Sequence, residues 1–262
     1  MLEVISRGTA TERHPVPLLF VHGAWHAAWC WEDHFLDFFA DRGYECHAPS
    51  LRGHGRSSGA ERLRWTRIRD YVDDVAQVVA QLPTQPVLIG HSMGGFVLQH
   101  YLQDHAAERT VLLAPIPPTG ARRITMQIAR HHPLTFAKIN AGMTLAPVME
   151  TEGLAREMLF APQAPDSCVD ECRQRLQNES YRAFLDMLVL DLVKTKRVTP
   201  GAMLILGAEH DAMVLPHEIQ RTATVYGAEA EIFGELGHEM MLEPGWRQVA
   251  ERIDGWLVRN GC

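Results

Sequence analysis

Five short apolar runs, each cut off by glycine, proline or a polar residue, constrain the fold of this chain more than any other feature. They are PLLFVHG (17–23), YECHAPSL (44–51), PVLIGHS (86–92), RTVLLAP (109–115) and AMLILGAEHD (202–211). Runs this short and this apolar read as strands buried on both faces, the pattern of a parallel sheet. A sixth run, AEAEIFGELG (228–237), alternates apolar with polar residues and reads as a more peripheral strand. Helical patterns lie between the runs. Ile68, Val72, Val75, Val79 and Leu82 recur at steps of three and four, and Trp246, Val249, Ile253, Trp256 and Leu257 keep the same rhythm. Amphipathic helices of this kind cover the faces of a sheet. The alternation predicts an α/β fold with a doubly wound, mostly parallel sheet. The 262 residues hold one large α/β domain or two small ones.

One stretch breaks the alternation. From 117 to 198 there are helical patterns but no convincing strand, between the breaker PIPPTG and the segment KRVTPG. The flanking strands are expected to be neighbours, so the stretch reads as a helical insertion over the strand ends. The chain then divides into a first core segment (1–116), the insertion (117–198) and a second core segment (199–262). The insertion carries Met126, Met143, Met149, Met158 and Met187, five of the eleven methionines. Methionine fills irregular apolar space, so these residues form either ordinary helical core or the wall of a pocket. Met143 and Met187 are the candidates for that wall, together with Trp25.

The stretch GHSMGG (90–95) places Ser92 between Gly90 and Gly94, after a strand pattern and before a helical one. In that context G-x-S-x-G marks a sharp strand-to-helix turn that lifts the serine above the sheet edge. The turn crowds the positions two before and two after the serine, which favours glycine there. It also puts Ser92 at a helix N-terminus, where free N–H groups favour negative charge.

A serine hydroxyl needs a base, and the base needs an orienting group. Asp211 stands just past the 202–211 strand, and His238 stands in the loop after the last strand. The order Ser92, Asp211, His238 is the nucleophile–acid–histidine order of this sheet architecture. His210 adjoins Asp211 but points away from it, and Glu209 and Glu235 are alternative acids less well placed. The oxyanion formed in acyl transfer needs two N–H donors. The backbone of Met93 supplies one, and Ala24, in the loop after the 17–23 strand, supplies the second, with Trp25 next in line. His22 braces that loop, and Trp29 and Trp31 pack the helix that follows. RGHGRSSG (52–59) shapes the rim, and its Ser57 and Ser58 lack the nucleophile setting.

Composition narrows the partners. A net charge of −7 argues against a nucleic-acid binder. The five scattered cysteines form no disulfide framework. Cys168 and Cys172 share a helix face, but no further ligands are spaced for a metal site, and no cofactor is implied. The N-terminus lacks a basic stretch followed by an apolar one, and no apolar run approaches membrane-spanning length, so the expected compartment is the cytoplasm. A monomer and a homodimer both remain open.

Together, VHGAW, PSLRGHGRSSG, IGHSMGG, GAEHD and GHEMMLEPGW stand in the order and spacing of the α/β-hydrolase fold superfamily, which the chain resembles over about 17–257 apart from the insertion. The resemblance implies that the insertion is a helical cap shaping the acyl pocket. It also implies a serine hydrolase cleaving an ester, lactone or thioester of a small to medium hydrophobic substrate. Non-hydrolytic chemistry on the same scaffold (a lyase, a cofactor-free oxygenase or a perhydrolase) and a small-molecule receptor are the alternatives.

Overall fold

The apolar runs form a single seven-stranded sheet. The computed structural model describes residues 1–262. Its strands are β1 (Val4–Arg7), β2 (Leu18–Val21), β3 (Cys46–Pro49), β4 (Val87–His91), β5 (Ala107–Leu113), β6 (Pro200–Ala208) and β7 (Glu229–Phe233), in the order β1-β3-β2-β4-β5-β6-β7. All neighbours are parallel except β1 and β3. β2 and β4 are buried at every residue, as strands covered by helices on both faces must be. β1 is the strand the apolar pattern does not announce: VISR is short, polar over its second half and nowhere fully buried at the sheet edge.

The helices are α1 (Trp29–Glu32), α2 (Phe35–Ala40), α3 (Ile68–Val79), α4 (Met93–Tyr101), α5 (Arg122–His131), α6 (Pro133–Gly142), α7 (Glu152–Leu159), α8 (Asp166–Arg175), α9 (Tyr181–Leu185), α10 (Pro216–Tyr226) and α11 (Trp246–Arg259). α3 buries Ile68, Tyr71, Val75 and Val78, one face of the helix. α11 buries Val249, Ile253, Trp256 and Leu257. Each such aliphatic side chain contributes about 1.5–3 kcal/mol on leaving water. No helix is long and apolar enough to cross a membrane.

Two features of this topology create a site. The chain leaves β2 toward β3 on one side and returns to β4 on the other, so the loops after β2 and β4 diverge and open a crevice. Five helices, α5 to α9, fill the connection between adjacent strands β5 and β6.

The insertion is bound to the core at one point by buried charge. Glu179, between α8 and α9, is fully buried. It accepts hydrogen bonds from His54 Nε2 at 3.1 Å and from the Tyr71 hydroxyl at 2.7 Å. His54 Nδ1 also donates, to the Arg52 carbonyl at 3.2 Å, so both ring nitrogens carry protons and the imidazole is charged. Burial opposes that charge, but the Glu179 carboxylate outweighs it and holds His54 above its ordinary value. Burial likewise pushes Glu179 up, and His54, with the Tyr71 hydroxyl and the Ser180 N–H, more than reverses it. Gln177 completes the joint: its side chain bonds Gly55 N and Gly53 O at 2.8 and 2.9 Å.

Candidate active site

The β4–α4 turn holds Ser92 at φ 51°, ψ −116°, a sparsely populated conformation for a residue with a side chain. The surrounding packing enforces it and explains both glycines. A Cβ on Gly94 would run into the carbonyl oxygens of Val21 and His22. One on Gly90 would lie 2.7 Å from Leu98 Cδ1 and 2.9 Å from the Gly94 carbonyl oxygen. The β4–α4 turn therefore packs tightly against the end of β2, and the serine is lifted at their junction.

The structure brings Ser92, His238 and Asp211 into one line. Ser92 Oγ donates to His238 Nε2 at 2.8 Å, and His238 Nδ1 donates to Asp211 Oδ2 at 2.8 Å. Asp211 Oδ1 accepts the Met213 and Val214 N–H groups at 2.7 and 2.8 Å, which fixes the carboxylate plane. The His238 carbonyl accepts His91 Nε2–H at 2.9 Å. All three side chains are buried. Burial disfavours the imidazolium of His238, but the Asp211 carboxylate beside it outweighs burial and raises its pKa above the ordinary value. Glu209, His210 and Glu235 all lie exposed on the surface. Ser57 and Ser58 are tied to Ser50 and to Met1. The 52–59 turn thus meets the insertion and the N-terminus instead of the rim of the crevice.

The loop after β2 is pinned at three successive carbonyls. His22 Nδ1–H donates to the Gly23 carbonyl at 2.8 Å while its Nε2 accepts the Leu51 N–H at 3.0 Å. His26 Nδ1–H donates to the Ala24 carbonyl at 2.8 Å. The Gln177 N–H donates to the Trp25 carbonyl at 2.9 Å, and Trp25 sits at φ 64°. The Gly23 carbonyl shares its peptide plane with the Ala24 N–H, so His22 fixes the direction of that donor. Burial keeps both imidazoles neutral: His22 is pushed well down and His26 to about 4. Met93, the first residue of α4, has an N–H with no intrahelical acceptor.

Residues 18–252 match a family model described as the Alpha/beta hydrolase family. The chain belongs to that family. A non-heme haloperoxidase of Rhodococcus erythropolis is 37% identical over 106 residues, 39% of this chain and 38% of the relative. A pyrethroid hydrolase of Sphingobium wenxiniae is 33% identical over 88 residues, 34% of this chain and 31% of the relative. A bifunctional esterase/perhydrolase of Acinetobacter calcoaceticus is 34% identical over 109 residues, 39% and 38%. These matches span less than two fifths of each relative's length. Among solved structures, an esterase from Exiguobacterium antarcticum superposes with a TM-score of 0.78 at 19% identity, covering 98% of this chain and 95% of that one. A monoacylglycerol lipase from Paleococcus ferrophilus gives 0.75 at 20%, covering 99% of each. At these identities the likeness is one of fold.

In this alpha/beta hydrolase, a cavity opens onto Ser92 beneath the insertion. Sixteen residues line it and only Ser92 and Thr125 are polar, so it offers no charge to a ligand. Thr125 Oγ1 is itself committed to the Ala121 carbonyl at 2.8 Å. The walls are branched and aromatic: Ile116, Ile124, Ile128, Phe136, Ile139 and Phe184, with Ala24, Trp25 and Met93 nearer the serine. Met187 is part of the lining but Met143 is not. Met143 ends α6 at φ 47° with its side chain partly in solvent, so a pocket role for it is withdrawn. Met126 is also exposed, and Met213, outside the insertion, lines the cavity although no pattern around it singles it out. Trp31 packs on Phe20 and Phe35, and Trp29 lies under the Arg175 guanidinium. All five cysteines are free.

Proposed function

We propose that this chain hydrolyses carboxylic esters, lactones or thioesters whose acyl group is uncharged and apolar, of small to medium size. His238 takes the proton of Ser92 as the oxygen attacks the carbonyl carbon. Asp211 holds the imidazole in the Nδ1–H tautomer and stabilises its charged form. The Ala24 and Met93 N–H groups receive the oxyanion, each donor of this kind being worth about 3 kcal/mol. Protonated His238 then gives its proton to the leaving group. Water, deprotonated by His238, attacks the acyl-enzyme, and His238 hands that proton to Ser92 as the Ser92–acyl bond breaks. The insertion, residues 117–198, acts as the cap that supplies the apolar acyl pocket.

The observation that carries this reading is the unbroken run of 2.8 Å hydrogen bonds from Ser92 through His238 to Asp211 at the mouth of an uncharged cavity. Purified protein is expected to turn over p-nitrophenyl esters of graded acyl length and to be labelled at Ser92 by a fluorophosphonate. Labelling at another residue, or no turnover across esters, lactones and thioesters, rejects it.

The names of two relatives, a haloperoxidase and an esterase/perhydrolase, support a second reading. In it hydrogen peroxide replaces water: its oxygen attacks the acyl-enzyme, the Ser92–acyl bond breaks, and a peracid leaves while Ser92 regains its proton. Peracid formation from an ester and peroxide, lost in S92A, is the check.

A further inference from the structure

Glu239 is a buried carboxyl with no part in the chemistry above. It is completely enclosed, and neither of its oxygens has a hydrogen-bond partner. An ionised carboxylate left so would cost several kcal/mol. Its Oε2 stands 3.4 Å from His26 Nε2. Because His26 Nδ1–H is committed to the Ala24 carbonyl, Nε2 presents a lone pair, which calls for a proton on the other side. The Cys172 thiol, 3.7 Å from the same nitrogen, is a weaker donor. The surrounding groups are His26 and Cys30 from the region after β2, His91 at the end of β4, Asp211 after β6, Cys172 on α8, and His238 and Glu243 on its own loop.

We propose that Glu239 is a positioning residue that carries a proton and donates it to His26 Nε2. One proton then ties the loop that aims the Ala24 N–H to the loop that holds His238. Glu239 follows His238 directly in the chain, and His26 grips the carbonyl of Ala24, so the two halves of the site are fastened behind the reacting atoms. Burial also pushes the Glu239 carboxyl up to about 8, so that the bridging proton is present at neutral pH. The catalytic consequence rests on the hydrolase reading; the proton itself does not.

The test compares E239Q, E239L and C172A with the wild type across pH 5 to 10. In E239L only the weak Cys172 thiol faces His26 Nε2, and kcat is expected to fall about tenfold to hundredfold with KM changed far less, as for a misaimed oxyanion donor. E239Q keeps a donor of the same shape and restores kcat to within about threefold at pH 7. The wild type loses kcat as pH rises through about 8, and E239Q lacks that alkaline limb. An E239L enzyme with wild-type kcat, an alkaline limb unchanged in E239Q, or a C172A variant that reproduces E239L overturns the proposal.

A second measurement needs no substrate. Between the ordinary carboxyl value of 4.5 and about 8, the unfolded chain releases this proton and the folded one keeps it. Stability contributed by the proton is therefore lost as pH rises through that window. The Tm advantage of E239Q over the wild type should widen from pH 5 to pH 8 and then level off. A gap that stays constant means no proton is held there and overturns the proposal, even if no ester is ever hydrolysed.

Discussion

The loops at the strand ends and the helices of the insertion meet at Ser92, yet they are made on opposite principles. The strand-end loops after β2 and β6 each present a polar group whose direction is fixed by a second bond: Asp211 by two backbone N–H groups, Ala24 by His22 through its peptide plane. The insertion presents only apolar walls toward the same point, with no directional bond to offer a ligand. Polar groups act through angle and distance, so they need rigid supports. Apolar walls act through area and shape, so they tolerate exchange. Substitutions on the two sides should therefore change different quantities.

The largest effect is expected on the strand-end side. S92A should abolish fluorophosphonate labelling and lower ester turnover by about 10⁴-fold or more while the fold is retained. D211N should lower kcat by about 10³- to 10⁴-fold, whereas E209Q and E235Q, altered at exposed carboxyls, should stay within about twofold. If E235Q fell as far as D211N, the division between fixed and free groups at the strand ends would collapse. Next comes the pH response. The proposed reaction needs neutral His238, whose pKa Asp211 raises above its ordinary value despite burial. The rate should accordingly fall as the solution is acidified through a pKa above 6.5, and D211N should move that limb to lower pH.

On the insertion side the effects are those of stability and preference. E179Q removes the carboxylate that His54 and Tyr71 face in the interior, and should cost roughly 3 kcal/mol by denaturant unfolding. The raised His54 contributes stability fully below pH 6.5 and loses it as pH climbs through its raised value. The lowered Glu179 contributes above 4.5 and loses it as pH falls through its lowered value. The deficit of E179Q should therefore be greatest between those limits. F184A enlarges the cavity and should shift the preferred acyl length upward, changing kcat/KM ratios between esters by about tenfold. M143A, altering a residue partly in solvent, should change those ratios by less than about twofold.

The same contrast governs what the amino-acid order reveals. Five strands show themselves as apolar runs because burial on both faces leaves no room for anything else. Gly90 and Gly94 are legible because a close backbone approach permits no side chain, and that constraint is local. Asp211 and His238 stand out because strand ends are easy to find, and the structure draws both to Ser92. The insertion gives no comparable signal. Glu179 meets His54 across 125 residues, and nothing in QNES distinguishes a buried anion from a surface one. Counting methionines is a weak guide to the cavity: Met187 lines it, but branched and aromatic side chains form most of its wall and Met143 ends a helix. By residue type Glu239 is one more acid in a loop; only its enclosure sets it apart. β1 escaped notice because an edge strand buries too little to impose a pattern.

The joint made by Gln177 and Glu179 sets the terms for remodelling this protein. Gln177 holds the Trp25 carbonyl and the 53–55 backbone and Glu179 holds His54 and Tyr71, so although they belong to the helical stretch they brace the loops beside Ser92. A graft that exchanges α5 and α6 while leaving 177–180 untouched transplants selectivity onto an intact engine. A graft that exchanges the whole stretch removes a bearing from the motor along with the upholstery, and the recipient should come out folded but slow.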